Sequence, residues 1–259
     1  VCSICNYRNF INIGKDARVK IIEHVDSSSS SSSSRLNNVV SLNNIVWQFD
    51  LKDSSRCDYL HYSQVHVDAN ELVGDHAFKV NAPLSPNSLV HYIKVNQSKN
   101  SVFSSFNADF NANFNNILQR FDIDIDLNEP GARCQLNGVY TLSSKAHSDH
   151  HTRVNHLADH TISDEHYNGV LSDKSVGVFN GQVIAYKGVK SIEANQLNNN
   201  LLLTAGATIY TKPQLEIETD DIQCSHGASV GELDEQSLFY LLSRGIDKKT
   251  AKLILTKAF

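Results

Sequence analysis

The chain has 259 residues, 41% of them apolar and 20% charged, and a formal net charge of −5 with histidine neutral. That apolar content fills one large β-rich core or two smaller ones; the acidic balance gives no basic footprint for nucleic acid, and no apolar run approaches the roughly 20 residues that cross a bilayer. The five cysteines (Cys2, Cys5, Cys57, Cys134 and Cys224) are too sparse, and odd in number, for a disulfide framework, which points to a reducing compartment.

In chain order, Cys2 and Cys5 form a lone C-x-x-C. With no second pair at matched spacing they are read as two incidental cysteines. Asn9 to Ile13 and Ala17 to Glu23 alternate apolar and polar on either side of a turn containing Gly14, which predicts two short strands. Ser27 to Ser34 is an unbroken serine run, too polar to offset the entropy of its own ordering, and is read as a flexible loop. Period-two alternation resumes in Asn44 to Leu51, Ser63 to Asp68 and His91 to Val95. Phe106, Phe110 and Phe114 would also suit one helix face, but Ala108 and Ala112 fall on the same alternating set, which favours a strand. Phe121 to Leu127 alternates strictly, with Asp122, Asp124 and Asp126 on one face. A calcium loop would need Gly where Leu127 stands, so these aspartates are read as a solvated strand face.

From Gly131 onward come short strand-like pieces: Cys134 to Tyr140, Thr152 to Leu157, Tyr167 to Leu171, Gly177 to Phe179, Gln182 to Tyr186 and Leu201 to Leu203. Gly, Asn, Asp and Ser separate them, with no room for crossover helices. That pattern fits a β-solenoid and a sandwich equally well. Helical spacing appears only at the end. Asp234 caps a helix carrying Leu238, Leu241 and Leu242, Gly245 stops it, and Asp247 caps a second with Ala251, Ile254, Leu255 and Ala258 on one face. Two such helices folded over a solenoid end would shield its unpaired edges.

Two groups of residues carry candidate chemistry. His147, His150, His151, His156, His160 and His166 crowd half of the twelve histidines into one short stretch. A zinc hydrolase using this His147–His166 cluster is the alternative reading of function, but no H-E-x-x-H occurs, and structural histidines are the plainer account. Cys224 and His226, two apart, share one side of an extended chain. Their sulfur and nitrogen suit zinc, copper and iron-sulfur chemistry alike; a buried thiol beside a hydrogen-bonded imidazole is the bland alternative. No G-x-S-x-G elbow, G-x-G-x-x-G or Walker motif is present, so the chain has no P-loop of its own for a nucleotide. A carbohydrate-active β-helix enzyme is disfavoured because the aspartates form no recognisable acid/base pair.

Lys212-Pro213-Gln214-Leu215-Glu216-Ile217, Asp220-Asp221-Ile222, Cys224-Ser225-His226-Gly227 through Asp234, Leu238-Phe239-Tyr240-Leu241 and Ser243-Arg244-Gly245-Ile246 closely resemble the C-terminal part of the SufB/SufD family of iron-sulfur cluster assembly scaffolds. The Cys-Ser-His-Gly motif places the likeness on the SufD side. The resemblance implies a mainly β fold, a right-handed parallel β-helix over residues 1–222 followed by a motif segment and short helical region over 223–259, with further chain expected at both ends. Asn137 and Asn198 to Asn200 would then sit at turns. It also implies a non-catalytic subunit in the bacterial cytoplasm or plastid stroma. Its partners would be a SufB-like paralogue and, through the C-terminal helices, a SufC-like ATPase. His226 would hold a transient iron-sulfur cluster shared with the paralogue, with Cys224 as its neighbour. No role is implied for Cys2 or Cys5.

Overall fold

The computed structural model describes residues 2–26, 40–64, 87–111 and 118–259. Its strands stack into two seven-stranded sheets. One sheet holds β1 (Cys2–Ile13), β3 (Val40–Leu51), β5 (Asn87–Gln97), β7 (Leu118–Leu127), β9 (His147–His156), β11 (Val176–Ala185) and β13 (Thr208–Ile217), in that order. The other holds β2 (Arg18–Asp26), β4 (Arg56–Gln64), β6 (Val102–Asn111), β8 (Arg133–Leu142), β10 (Ile162–Leu171), β12 (Ile192–Leu202) and β14 (Ile222–Glu232). The pairings are parallel, and each coil gives one strand to each sheet, so the chain is a β-solenoid. The parallel helix rather than the sandwich is what forms. The serine run, Val65 to Asp68 of the expected Ser63 to Asp68 strand, and Ala112 and Phe114 lie outside the described residues.

Alternation builds the coils. Along β11 every second residue from Gly177 to Ala185 is buried, and β7 through β10 repeat the pattern. Register then stacks coil directly on coil: Leu118, His147 and Val176 lie side by side, 29 residues apart at each step. The inward positions form aromatic columns, with Phe49 packed on Trp47, Tyr59 and Phe103, and His150 stacked between Phe121 and Tyr140. On the outer face of β7 the three aspartates are paired, not merely solvated: Lys94 bridges Asp124 and Asp126 at 3.2 and 2.7 Å, and Arg120 joins Asp122 to Asp149.

One corner of the coil is a column of left-handed residues, Asp16, Ser54, Asn100, Gly131 and His160, each with positive φ. Their amides donate to the next coil: Asp16 N to Asp53 O, Ser54 N to Lys99 O, Asn100 N to Pro130 O and His160 N to Lys190 O. Small polar side chains tolerate this backbone region better than β-branched ones. The expectation that Asn137 and Asn198 to Asn200 occupy turns is corrected here. Asn137 lies within β8, and the asparagine triplet lies within β12 with Asn198 and Asn200 pointing inward. Their polar groups are met inside: Asn198 donates to the Tyr167 carbonyl, Asn200 donates to Asn198 Oδ1, and the Tyr140 hydroxyl donates to Asn200 Oδ1 at 2.7 Å. Phe106 is a second surprise: β6 is the expected strand, yet it turns Phe103, Ser105 and Asn107 inward and leaves Phe106 outside.

The helices form as expected. α1 (Glu235–Ser243) is capped by the Asp234 carboxylate, which accepts from Ser237 N at 2.8 Å. Gly245 takes φ 83° after it, and α2 (Lys248–Ala258) is capped by Asp247. The helices pack on each other instead of folding over the solenoid end. Only Ala251 is buried, and Phe239, Tyr240 and Ile254 stay exposed, because two short helices have too little surface to cover both their own stripes and a sheet end.

Candidate functional site

Cys224 and His226 lie in mid-strand on β14, the last strand of its sheet. Ala194, Gln196 and Asn198 of β12 are buried inward positions, and Cys224, His226 and Ala228 are in register with them. The pair therefore continues the inward column at the open end of the solenoid, on one side of the strand as their spacing requires. Cys224 is half-buried against the cluster of Val183, Ala185, Ile192 and Ala194, and His226 is exposed. Ser225 and Ser229, on the opposite side, donate to Asn195 and Asn199 at 2.7 Å each and pin the register. Among the described residues, the only atom within 4 Å of where a Gly227 Cβ would stand belongs to the Leu197 side chain, at 3.2 Å.

The other thiols differ. Cys57 and Cys134 are buried, and burial pushes Cys57 up to about 12 and raises Cys134 as well, so neither is a ready thiolate. Cys5 is half-buried on β1.

The six clustered histidines do not converge. His150 and His156 point inward, where His150 meets Ser148 and His156 lies between Thr161 and Ser163. Burial pushes the His156 imidazole down to about 4. His151 faces out and pairs with Asp149 at 2.8 Å, His160 is a corner residue, and His166 is exposed on β10. Among the described residues no three of the six form a ligand group.

The residues that do converge escaped the sequence. Glu23 and His61 are in register on β2 and β4, while His91 reaches them from β5 of the facing sheet. Glu23 Oε2 lies 3.0 Å from His61 Nδ1 and 3.2 Å from His91 Nε2. Tyr59 donates to the same oxygen and Trp47 Nε1 donates to Oε1 at 2.9 Å. Burial raises the Glu23 carboxyl, but the His61 hydrogen bond, the nearby His91 and Tyr59 together hold it at about 2. No local motif marks the group, because its members are 38 and 30 residues apart; only coil register brings them together.

The fold and site define a two-sheeted parallel β-solenoid whose open end presents a thiol and an imidazole. Over residues 3–259 the chain matches the SufBD core domain of the SUF system of iron-sulfur cluster assembly. It belongs to the SufBD family. It is 36% identical over 141 residues to the Escherichia coli (strain K12) iron-sulfur cluster assembly protein SufD, covering 54% of this chain and 33% of that one. It is 30% identical over 142 residues to a SufBD family protein of Synechocystis, covering 55% and 31%, and 32% identical over 145 residues to the chloroplastic protein ABCI7 of Arabidopsis thaliana, covering 55% and 30%. The matched segments span about a third of the length of these curated relatives.

Proposed function

We propose that this chain is the solenoid core of a non-catalytic scaffold subunit on which an iron-sulfur cluster is assembled and from which it is handed on. The observation that carries the reading is the placement of Cys224 and His226 on the inward side of the terminal strand, with no described strand beyond it. A cluster takes four ligands, mostly thiolates. Two donors from this chain leave the set incomplete, so the remaining ligands come from a second chain docked at β14, whose unpaired edge is also the natural place for a partner strand. A SufB-like paralogue fits that position. An imidazole is a weaker donor than a thiolate, which suits cargo that has to leave.

The exposed Phe239, Tyr240 and Ile254 on α1 and α2 support a further docking surface there, the one assigned to a SufC-like ATPase, which would supply the energy this chain has no P-loop to draw on. The bacterial and chloroplastic relatives support a cytoplasmic or plastid setting. Anaerobic coexpression with SufB-like and SufC-like proteins tests the reading. Oxygen-labile iron and sulfide in equal amounts are expected only in the complex. Stoichiometric zinc in the isolated chain, with or without oxygen, and no labile sulfide in the complex would overturn it in favour of the hydrolase.

A further inference from the structure

We propose that Glu23, His61 and His91 form a binding site for one divalent first-row transition-metal ion inside the first coils of the solenoid. Two neutral imidazoles and a carboxylate are a donor set for Zn(II), Fe(II) or Co(II), and a poor one for the harder Mg(II) and Ca(II), which take oxygen. The three donor atoms already face one another. An ion at about 2.0–2.2 Å from each would set the donors roughly 3.3–3.5 Å apart, so the observed 3.0 and 3.2 Å need to open by only a few tenths of an ångström.

The surroundings hold the donors in place. Both imidazoles are fully buried, and Phe121 packs edge-on against each, with centroids at 5.2 and 5.6 Å. Trp47 fixes the Glu23 oxygen that faces away from the rings, leaving Oε2 turned to them, and Tyr59 steadies Oε2. Such outer hydrogen bonds are what orient carboxylate ligands in metal sites. A buried carboxylate demands a compensating positive charge, and a metal ion among neutral imidazoles supplies it as well as an imidazolium would. Glu23 lies on the edge strand β2 and keeps 12% of its side chain accessible, which gives the ion its entrance. The site lies at the end of the sheet opposite β14, and it stands whether or not His226 holds a cluster.

Trp47 is the only tryptophan and touches Glu23 directly, so its fluorescence reports on this site and not on surface histidines. The test uses the 259-residue chain carrying Cys224→Ser and His226→Ala, stripped with chelator and titrated with Co(II), Zn(II) or Mg(II). Co(II) is expected to quench Trp47 with saturation at one equivalent and to show the visible bands of a four- or five-coordinate ion. Zn(II) should displace it and raise the melting temperature, while Mg(II) does neither. Glu23→Gln and His91→Gln should each weaken Co(II) binding at least tenfold. Absence of saturable Trp47 quenching in the parent chain overturns the proposal, as does equal binding by both folded variants. If a variant fails to fold, the parent titration alone decides.

Discussion

Gln196 Nε2 donates to Glu165 Oε2 at 2.6 Å in the interior between the sheets, with each residue 2% exposed. Burial pushes the Glu165 carboxyl up to about 7 from its ordinary 4.5. Because the folded-state value lies above the unfolded one, Glu165 stabilises the fold fully below pH 4.5, and that contribution is lost as pH rises to 7. The loss is up to about 3 kcal/mol. Glu165→Gln should therefore raise the melting temperature at pH 8 and leave it nearly unchanged at pH 5. Urea unfolding of both proteins at the two pH values checks this, and equal effects at both would show that the carboxyl is already ionised in the fold.

His156 should give the opposite slope. Its imidazole, held between Thr161 Oγ1 at 2.8 Å and Ser163 Oγ at 2.9 Å, sits at about 4 because burial disfavours the charged form. The unfolded chain takes up the proton near pH 6.5, so stability falls from there down to pH 4, again by up to about 3 kcal/mol. His156→Gln should be less stable at neutral pH, yet lose stability between pH 6.5 and 4 less steeply by close to one proton.

Gly138 has a steric reason to be glycine. A Cβ there would stand 2.1 Å from Cε1 of Tyr167, whose ring fills the space beside it and whose hydroxyl accepts a hydrogen bond from Asn107 Nδ2 at 3.0 Å. Gly138→Ala should cost about 1–3 kcal/mol through displacement of that ring. Gly227→Ala, whose Cβ meets only Leu197 Cδ1 among the described residues, is the control and should change unfolding by no more than about 0.5 kcal/mol.

The helices contribute little to the solenoid, since they pack on each other and bury only Ala251. Deleting residues 233–259 should leave the melting temperature of the β core nearly unchanged while abolishing copurification with a SufC-like ATPase. Retained copurification would place that docking surface on the solenoid.

The strands were legible where alternation is strict, as in Phe121 to Leu127, and the helices where a capping aspartate precedes an apolar stripe. The family motif likewise led directly to β14. Strand boundaries were less legible: Gly177 to Phe179 and Gln182 to Tyr186 merge in β11, because Gly181 breaks the apolar pattern without breaking the strand. The interior misled most. A solenoid two sheets thick encloses polar side chains that pair across coils, so Asn198 and Asn200, expected at turns, lie within, as does the unmarked Glu165. Glu23, His61 and His91 were invisible for a related reason. Their register follows from coil lengths, and the first two coils are longer than the later ones: Glu23 pairs with His61 at a distance of 38 residues, where the later coils step by 29 to 32.

The most direct test is cluster reconstitution on the complex containing His226→Ala. His226 is exposed at the open end of the solenoid and contributes little packing, so the variant should melt within a degree or two of the parent and still copurify with its partners. Iron and sulfide loading should nevertheless fall at least tenfold. Normal loading together with a lowered melting temperature would contradict the account, and would make His226 a structural residue of the last coil.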